Sequence, residues 1–213
     1  MNEYYSLTKI YKSANIMKKI GGEIMARIVK DPEERKNEIV ETAMQVFCQK
    51  GYEATSISDI ARELNIAQGL CYRYFKSKEE LFDIALDQYA QRQVDQMLVI
   101  VGKSRGIEDL VDTFPSFIDL ENDGSIEQEF YHKDGNQKFH KLLTIRICEK
   151  MMPITEKILS EGMAQKEIPE GDVHVLASYC LYGQLGIIFD KLRTHSEKKD
   201  AIKMFTKEIL NIS

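Results

Sequence analysis

The chain has 213 residues and a formal net charge of −5, with 43% hydrophobic and 30% charged residues. This size and balance are typical of one or two globular domains with a buried core, and they exclude disordered and fibrous classes. With only four prolines, no series of strand-like runs, no apolar stretch of about 18 residues and no signal peptide, we expect an all-α, cytoplasmic protein.

Residues 1–30 are basic, with six Lys or Arg against two Glu, and show no clear helical period. We expect a loose or partly helical tail here. The Gly21-Gly22 pair before Met25 resembles a translated bacterial ribosome-binding site, which suggests that the native protein begins at Met25. The alternative is a real basic arm that grips DNA, and the intact mass of the native protein would distinguish the two.

Capping residues and apolar periodicity predict the helices that follow. The first helix, over 32–49, begins at the N-cap Asp31 and ends before Gly51. A capping box of Ser56 and Asp59 begins a short second helix. Two short helices with a first helix behind them form a helix-turn-helix, whose second member enters the major groove of DNA.

A third short helix is predicted over 67–74, and a second capping box, Ser77 with Glu80, begins a long helix that ends before Gly102. At 1.5 Å per residue the long helix spans roughly 35 Å and can act as a lever. Further helices are predicted at 106–121, 125–132, 136–165 (kinked or divided at Pro153), 171–192 and 196–211. We therefore divide the chain into a tail (1–30), an N-terminal domain (31–90) and a C-terminal domain (91–213).

The outward side of the third helix carries groups that suit DNA. Gln68 can pair with adenine, Gly69 lets the backbone approach, and Tyr72 can hold a phosphate. Thr55, Ser56 and Lys78 can also hold phosphates of the DNA backbone. Taken singly, the tyrosines also suit half-buried packing, and Arg73 and Lys78 also suit a solvated surface.

The runs Gly51–Ala61 and Gly69–Leu81 resemble the DNA-binding domain of the TetR family of bacterial transcriptional regulators, over about residues 32–90. The resemblance implies a homodimeric repressor in which a long helix joins an N-terminal three-helix helix-turn-helix domain to a C-terminal helical domain for ligand binding and dimerisation. It assigns phosphate or backbone contacts to Thr55, Ser56, Tyr74 and Lys78, and a recognition surface to Gln68, Leu70, Tyr72 and Arg73.

Two positions depart from the family pattern. Ala67 stands where a capping Ser or Thr is common, so the third helix lacks a side-chain cap. Leu70 stands where a small polar residue is common, and it suits contact with a thymine methyl group.

The middle helices are rich in soft apolar residues, and the family resemblance implies a ligand pocket among them. The candidate lining is Phe114, Phe117, Tyr131, His140, Leu143, Ile147 and Met151, with Tyr131, His140 or Arg146 as orienting polar groups. Ordinary core packing is the alternative for most of these residues.

The last two helices carry apolar surface that is wider than one buried stripe, which favours a dimer built on a four-helix interface. The candidate interface residues are Leu176, Tyr179, Cys180, Gly183, Ile187, Phe205 and Ile209. Burial inside one subunit is the alternative. A two-fold dimer places two recognition helices about 34–36 Å apart and so predicts a palindromic operator.

No catalytic or cofactor motif occurs in residues 100–213, so we predict neither an enzyme nor a cofactor. Glu129, His132 and His140 can be drawn as a metal site but are more simply surface residues, and the four cysteines lack paired spacing and suit buried positions.

The predicted function is a DNA-binding repressor that a small effector releases from its operator. Three alternatives stay open: control by a protein partner, activation instead of repression, and an enzyme with an accessory DNA-binding unit. A closed apolar cavity of about 300 Å³ or more would favour a small ligand over a protein partner.

Overall fold

Helices form every regular element in residues 31–114 and 137–212, which are the residues that the computed structural model describes. The predicted all-α fold is confirmed. The helices are α1 (Pro32–Lys50), α2 (Ile57–Glu63), α3 (Gln68–Tyr74), α4 (Lys78–Val101), α5 (Ile107–Thr113), α6 (Gln137–Ala164), α7 (Val173–Tyr182), α8 (Leu185–Ile188) and α9 (His195–Leu210). Residues 36–213 form one unit, and the unit before it, residues 1–35, is described only from Asp31.

The predicted caps of the first helices are confirmed. Asp31 Oδ1 accepts the N–H of Glu33 at 2.9 Å, and Gly51 ends α1 at a φ of 84° that side chains disfavour. Ser56 and Asp59 form both halves of a capping box at the start of α2. Local sequence signals therefore determine where these helices begin and end.

The second predicted capping box forms only in half. Ser77 Oγ accepts the N–H of Glu80 at 3.2 Å, as expected. The Glu80 carboxylate, however, accepts the N–H of Lys76 instead of that of Ser77. The start of α4 is still capped, because two backbone donors find side-chain acceptors.

We call residues 36–77 the head. Phe75, which is 1% exposed, closes its core, and Tyr74 is only half-buried. The core then continues through α4 into α6, where Phe82 lies edge-on to Phe47 at 5.2 Å and packs against Phe139 at 6.0 Å between ring centroids. The predicted domain boundary at residue 90 falls inside α4 and stays a prediction.

Three predicted C-terminal helices differ from the structure. Helix α6 agrees with the predicted bounds of 136–165 but runs through Pro153 without a break, so of the two alternatives the division is wrong and the kink stays a prediction. The helix predicted over 171–192 is two helices, α7 and α8, which separate at Gly183. A Cβ at Gly183 would lie 2.4 Å from the carbonyl oxygen of Tyr179, so this position requires glycine. Helix α5 ends at Thr113, short of the predicted 121.

Some predictions fall outside the described residues. They are the tail (1–30) with its possible start at Met25, the helix at 125–132, and Phe117, Glu129, Tyr131 and His132.

Candidate nucleic-acid interface

Helices α2 and α3 form the predicted helix-turn-helix. Asn65, with a φ of 54°, ends α2 in the left-handed conformation, and the N–H of Ile66 closes the turn on the carbonyl of Ala61 at 2.9 Å. Helix α3 has two sides, because Cys71 is buried in the core whereas Tyr72 is 51% exposed. Ala67 makes no side-chain cap, as expected.

Four of the predicted DNA-contacting residues share the exposed side of α3. Gln68, Gly69, Tyr72 and Arg73 are all exposed, and their positions along the helix place them within one face. Leu70 and Tyr74 lie outside this face and are half-buried. We call Gln68, Gly69, Tyr72 and Arg73 the reading face, whose contacts with DNA stay a prediction.

The structure does not support the phosphate contact predicted for Thr55. This residue is 2% exposed, and its hydroxyl donates to the carbonyl of Gly51 at 2.7 Å. Ser56 is exposed, but its hydroxyl donates to Asp59 Oδ2 at 2.5 Å and so serves the start of α2. Both hydroxyls stabilise the head instead of pointing freely to solvent.

Lys78 is also committed to the protein itself. Its Nζ donates to the carbonyls of Tyr52 at 3.0 Å and Thr55 at 3.1 Å, and it lies 4.2 Å from the centre of the Tyr52 ring. The Tyr52 hydroxyl donates in turn to Glu79 at 3.2 Å. Lys78 therefore fastens α4 to the loop before α2. Two hydrogen bonds leave one N–H of its ammonium group, so the phosphate contact predicted for Lys78 stays a prediction.

Asp59 forms ion pairs with two positively charged side chains at the start of α2. Its carboxylate pairs with Lys50 at 2.9 Å and with Arg62. The hydrogen bond from Ser56, followed by that from Lys50, holds the pKa of Asp59 far below its usual value. Asp59 therefore stays ionised at neutral pH and its charge is offset, so this side of the head does not present an uncompensated negative charge.

The described part of the C-terminal region contains a mainly apolar cavity of about 230 Å³ between α4, α5, α6, α7 and α9. Of the predicted lining, Phe114 and Met151 contribute to its wall. Leu143 and Ile147 instead pack in the core, and His140 is half-buried on the first turn of α6.

Arg146 does not serve the cavity as an orienting group. Its guanidinium pairs with Asp83 at 3.4 Å and Asp87 at 3.7 Å, both on α4. Sequence spacing could not reveal this orientation, because it depends on how α6 packs against α4.

The structure places the seven predicted dimer residues in different surroundings. Tyr179 and Phe205 are 58% and 45% exposed, as an interface requires. Three others serve the subunit itself: Cys180 lines the cavity, Leu176 packs against a small buried cluster around Leu159 and Ala177, and Ile187 packs against the core that the head shares with α6. Ile209 is half-buried, and Gly183 has the backbone role given above.

Two exposed apolar residues that the sequence analysis missed, Val175 and Met204, lie on the same two helices as Tyr179 and Phe205. Val175 stands one turn before Tyr179 on α7, so both project from the same side of that helix.

The cysteines are buried or half-buried free thiols, as expected. Burial raises the pKa of Cys148 to about 12 and that of Cys180 to about 11, so both thiols are protonated and unreactive at neutral pH. Among residues 31–114 and 137–212, no group of three His, Cys, Asp or Glu side chains is placed to hold a metal ion. No helix within these ranges is both long and apolar enough to cross a membrane.

Comparison with known proteins relates the head to one family. Residues 39–84 match the family described as bacterial regulatory proteins, tetR family. The chain is 28% identical over 163 residues to the HTH-type transcriptional regulator HbdR of Aromatoleum sp. (strain CIB), which covers 64% of this chain and 70% of HbdR. Two HTH-type transcriptional regulators of Bacillus subtilis (strain 168) also match, and the matches cover 38% and 39% of their own length.

Two other similar proteins carry names from one area of metabolism. The fatty acid metabolism regulator protein of Bacillus subtilis (strain 168) is 22% identical over 171 residues, which is 78% of this chain and 88% of that protein. A solved structure from Clostridium perfringens is of a protein proposed to regulate fatty acid metabolism. It is 27% identical in sequence, with a TM-score of 0.51, and the match covers 82% of this chain and 97% of that chain.

Proposed function

Because the chain belongs to the TetR family and is a DNA-binding transcriptional regulator, we propose that it is a homodimeric repressor that a small apolar ligand releases from a palindromic operator. One observation carries the proposal: α4 connects the two places where DNA and ligand would act. Lys78 at its start is bonded to the head, and Val101 at its end lines the cavity.

Helix α4 gives a physical route from ligand to DNA. Its 24 residues span about 35 Å, so a small displacement at Val101 moves the head at the other end. In a dimer, such movement changes the separation of the two reading faces and lowers the affinity for a site of fixed spacing. A coupling of about 2 kcal/mol would change operator affinity roughly 30-fold.

Exposed apolar side chains on α7 and α9 support dimerisation. Val175, Tyr179, Met204 and Phe205 are each nearly half exposed or more. A second copy that packs the same two helices against them would form an isologous interface and remove this apolar surface from water.

The cavity bears on the alternative of a protein partner. Its volume of about 230 Å³ is below the roughly 300 Å³ that would favour a small ligand over a protein partner, and it is partly open, so the cavity by itself does not exclude a protein partner. A slender molecule fits this space better than a bulky one, and the names of two relatives in fatty acid metabolism agree with an apolar ligand. The relatives are transcriptional regulators, so the chain is not an enzyme with a DNA-binding accessory.

Selection of DNA from a random pool tests the proposal directly. The expected product is a palindrome whose half-sites are centred about 10–10.5 base pairs, or a multiple of that distance, apart. Light scattering should show a dimer, and an added effector should release the DNA. A monomer on a single half-site would contradict the proposal, and stimulated transcription from a promoter beside the selected site would indicate an activator.

Substitutions on the reading face should separate specificity from affinity. Gln68→Ala is expected to relax the base preference at one position of each half-site, at a cost of about 1–3 kcal/mol for the preferred base. Tyr72→Phe removes only a hydroxyl that suits phosphate, so it should weaken binding to all sequences similarly. Binding to a set of single-base operator variants checks both, and equal changes of preference in the two variants would contradict these roles.

Gly69→Ala should stabilise the protein and weaken DNA binding. A Cβ at Gly69 would meet nothing within 4 Å, so the fold does not require glycine, and alanine should raise the free energy of unfolding by roughly 0.5–1 kcal/mol. Because Gly69 has no side chain, an external partner can approach the backbone of the reading face closely. The methyl group of alanine would obstruct this approach, so operator affinity should fall. Urea denaturation and fluorescence anisotropy measure the two effects.

Gly102→Ala is the matched control for this change. Gly102 ends α4 with a φ of −67°, and a Cβ there would make ordinary contact at 3.4 Å with the carbonyl oxygen of Leu98. This variant should leave operator affinity unchanged. If Gly69→Ala also leaves it unchanged, the backbone of α3 does not approach DNA at this point.

A further inference from the structure

The cavity has an apolar interior and charged groups along one side. Its apolar wall is formed by side chains of α4, α5, α6, α7 and α9, among them Val101, Val111, Phe114, Ile158 and Ile202. Asp112 of α5 and three residues of α9, Lys199, Asp200 and Lys203, add charge to the lining. The side chains of Asp112 and Lys203 are 38% and 41% exposed, which places them toward the open side of the cavity.

A carboxylate of the protein already occupies this charged side. Asp112 Oδ1 lies 2.7 Å from the Nζ of Lys203 and 3.1 Å from the Nζ of Lys207. Hydrogen bonds from Lys203 and then Lys207 lower the pKa of Asp112, so the group is ionised. The two ammonium groups are therefore arranged to bind one carboxylate beside an apolar cavity.

We propose that the effector is an unbranched apolar chain of about eight carbons that ends in a carboxylate, and that this carboxylate replaces Asp112 at Lys203. The inference rests on the proposed function, because it specifies the ligand of the same cavity. At about 30 Å³ for each water-sized group, 230 Å³ holds roughly eight such groups. The exchange is feasible because partly exposed ion pairs contribute little to stability and one carboxylate takes the place of another.

This exchange would loosen one end of α5. At its start, the N–H of Ile107 donates to Glu167 Oε2 at 2.6 Å, and near its end Asp112 pairs with α9. A ligand carboxylate on Lys203 removes the second attachment and leaves the first intact. Residues of α5 and Val101 of α4 line the same cavity, so a displacement of the loosened α5 would change the packing around the end of α4.

Calorimetric titration of the full chain with three eight-carbon probes tests the assignment of charge. Octanoate should bind about two- to fivefold more tightly than 1-octanol, as expected for a partly exposed ion pair, and octylamine should bind more weakly than both. Lys203→Met should remove the preference for octanoate and leave the affinity for octanol unchanged. Asp112→Asn should strengthen octanoate binding, because the competing carboxylate is gone.

Lys157→Met is the control, since Lys157 is an exposed residue of α6 that pairs with Glu161 outside the cavity. Lys203→Gln provides a second variant, and thermal melting followed by circular dichroism verifies that each variant folds. Equal binding of octanoate and octanol, a preference that survives both Lys203 substitutions, or no binding of any probe would overturn the inference.

Operator release, measured in the same samples, distinguishes this inference from the proposed function. Release by octanol or by another uncharged apolar compound would refute the carboxylate and leave a ligand-released repressor. Loss of operator binding in the absence of any probe, or a monomeric state, would instead count against the proposed function itself.

Discussion

Replacing Phe205 with glutamate is expected to separate the dimer into monomers and to weaken operator binding by about a hundredfold or more. Phe205 is 45% exposed in one subunit, so the change should have little effect on the fold of that subunit. In the proposed interface, however, the carboxylate would be buried without a partner. A monomer also loses the gain in affinity from two linked heads, which is typically 10²–10⁴-fold. Light scattering and fluorescence anisotropy measure the two losses.

Leu192→Glu is the matched control for Phe205→Glu. Leu192 is 95% exposed before the start of α9 and does not belong to the proposed interface. The same change of charge should there leave both dimer and operator binding intact. A Phe205→Glu protein that stays dimeric would move the interface to another surface.

Lys78→Met is expected to lower the free energy of unfolding by about 2 kcal/mol. Methionine has a similar length but cannot donate to the carbonyls of Tyr52 and Thr55, and it loses the cation over the Tyr52 ring. Because Lys78 fastens α4 to the loop before α2, operator binding should fall together with stability. Urea denaturation, combined with operator titration over a range of salt concentrations, measures both.

The salt dependence distinguishes a positioning role from direct contact with DNA. If Lys78 also held a phosphate, Lys78→Met would reduce the slope of log affinity against log salt by about one in addition to lowering stability, whereas a purely positioning role leaves the slope unchanged. Lys76→Met serves as the control, since Lys76 is exposed two residues earlier in the chain. It should not lower the free energy of unfolding.

The sequence was sufficient for features that depend on neighbours along the chain. Asp31, Gly51 and Ser56 form the expected caps and stops, because capping bonds join residues only a few positions apart. The amphipathic pattern of α3 also placed Gln68 and Tyr72 on an exposed side. Periodicity determines such faces before any tertiary contact forms.

The sequence was insufficient where function depends on contacts between distant segments. Lys78 resembles a solvated cation until its partners Tyr52 and Thr55, more than 20 positions away, are known. The same holds for Asp112, whose lysine partners lie on α9. Cys180 was assigned to a dimer interface because helical spacing identifies an apolar face, but spacing does not show whether that face meets a cavity or another subunit.

The contacts of Phe82 with Phe47 and Phe139 have a consequence for exchanging parts between regulators. Since the ring of Phe82 packs on both sides at once, the hydrophobic interior of the head is completed by a side chain of α6. A hybrid that joins residues 36–90 to the C-terminal region of another protein would keep every residue of the reading face and still lack the cover that Phe139 provides. Transfer of operator specificity therefore requires grafting the reading face alone, or carrying the α6 aromatic along with the head.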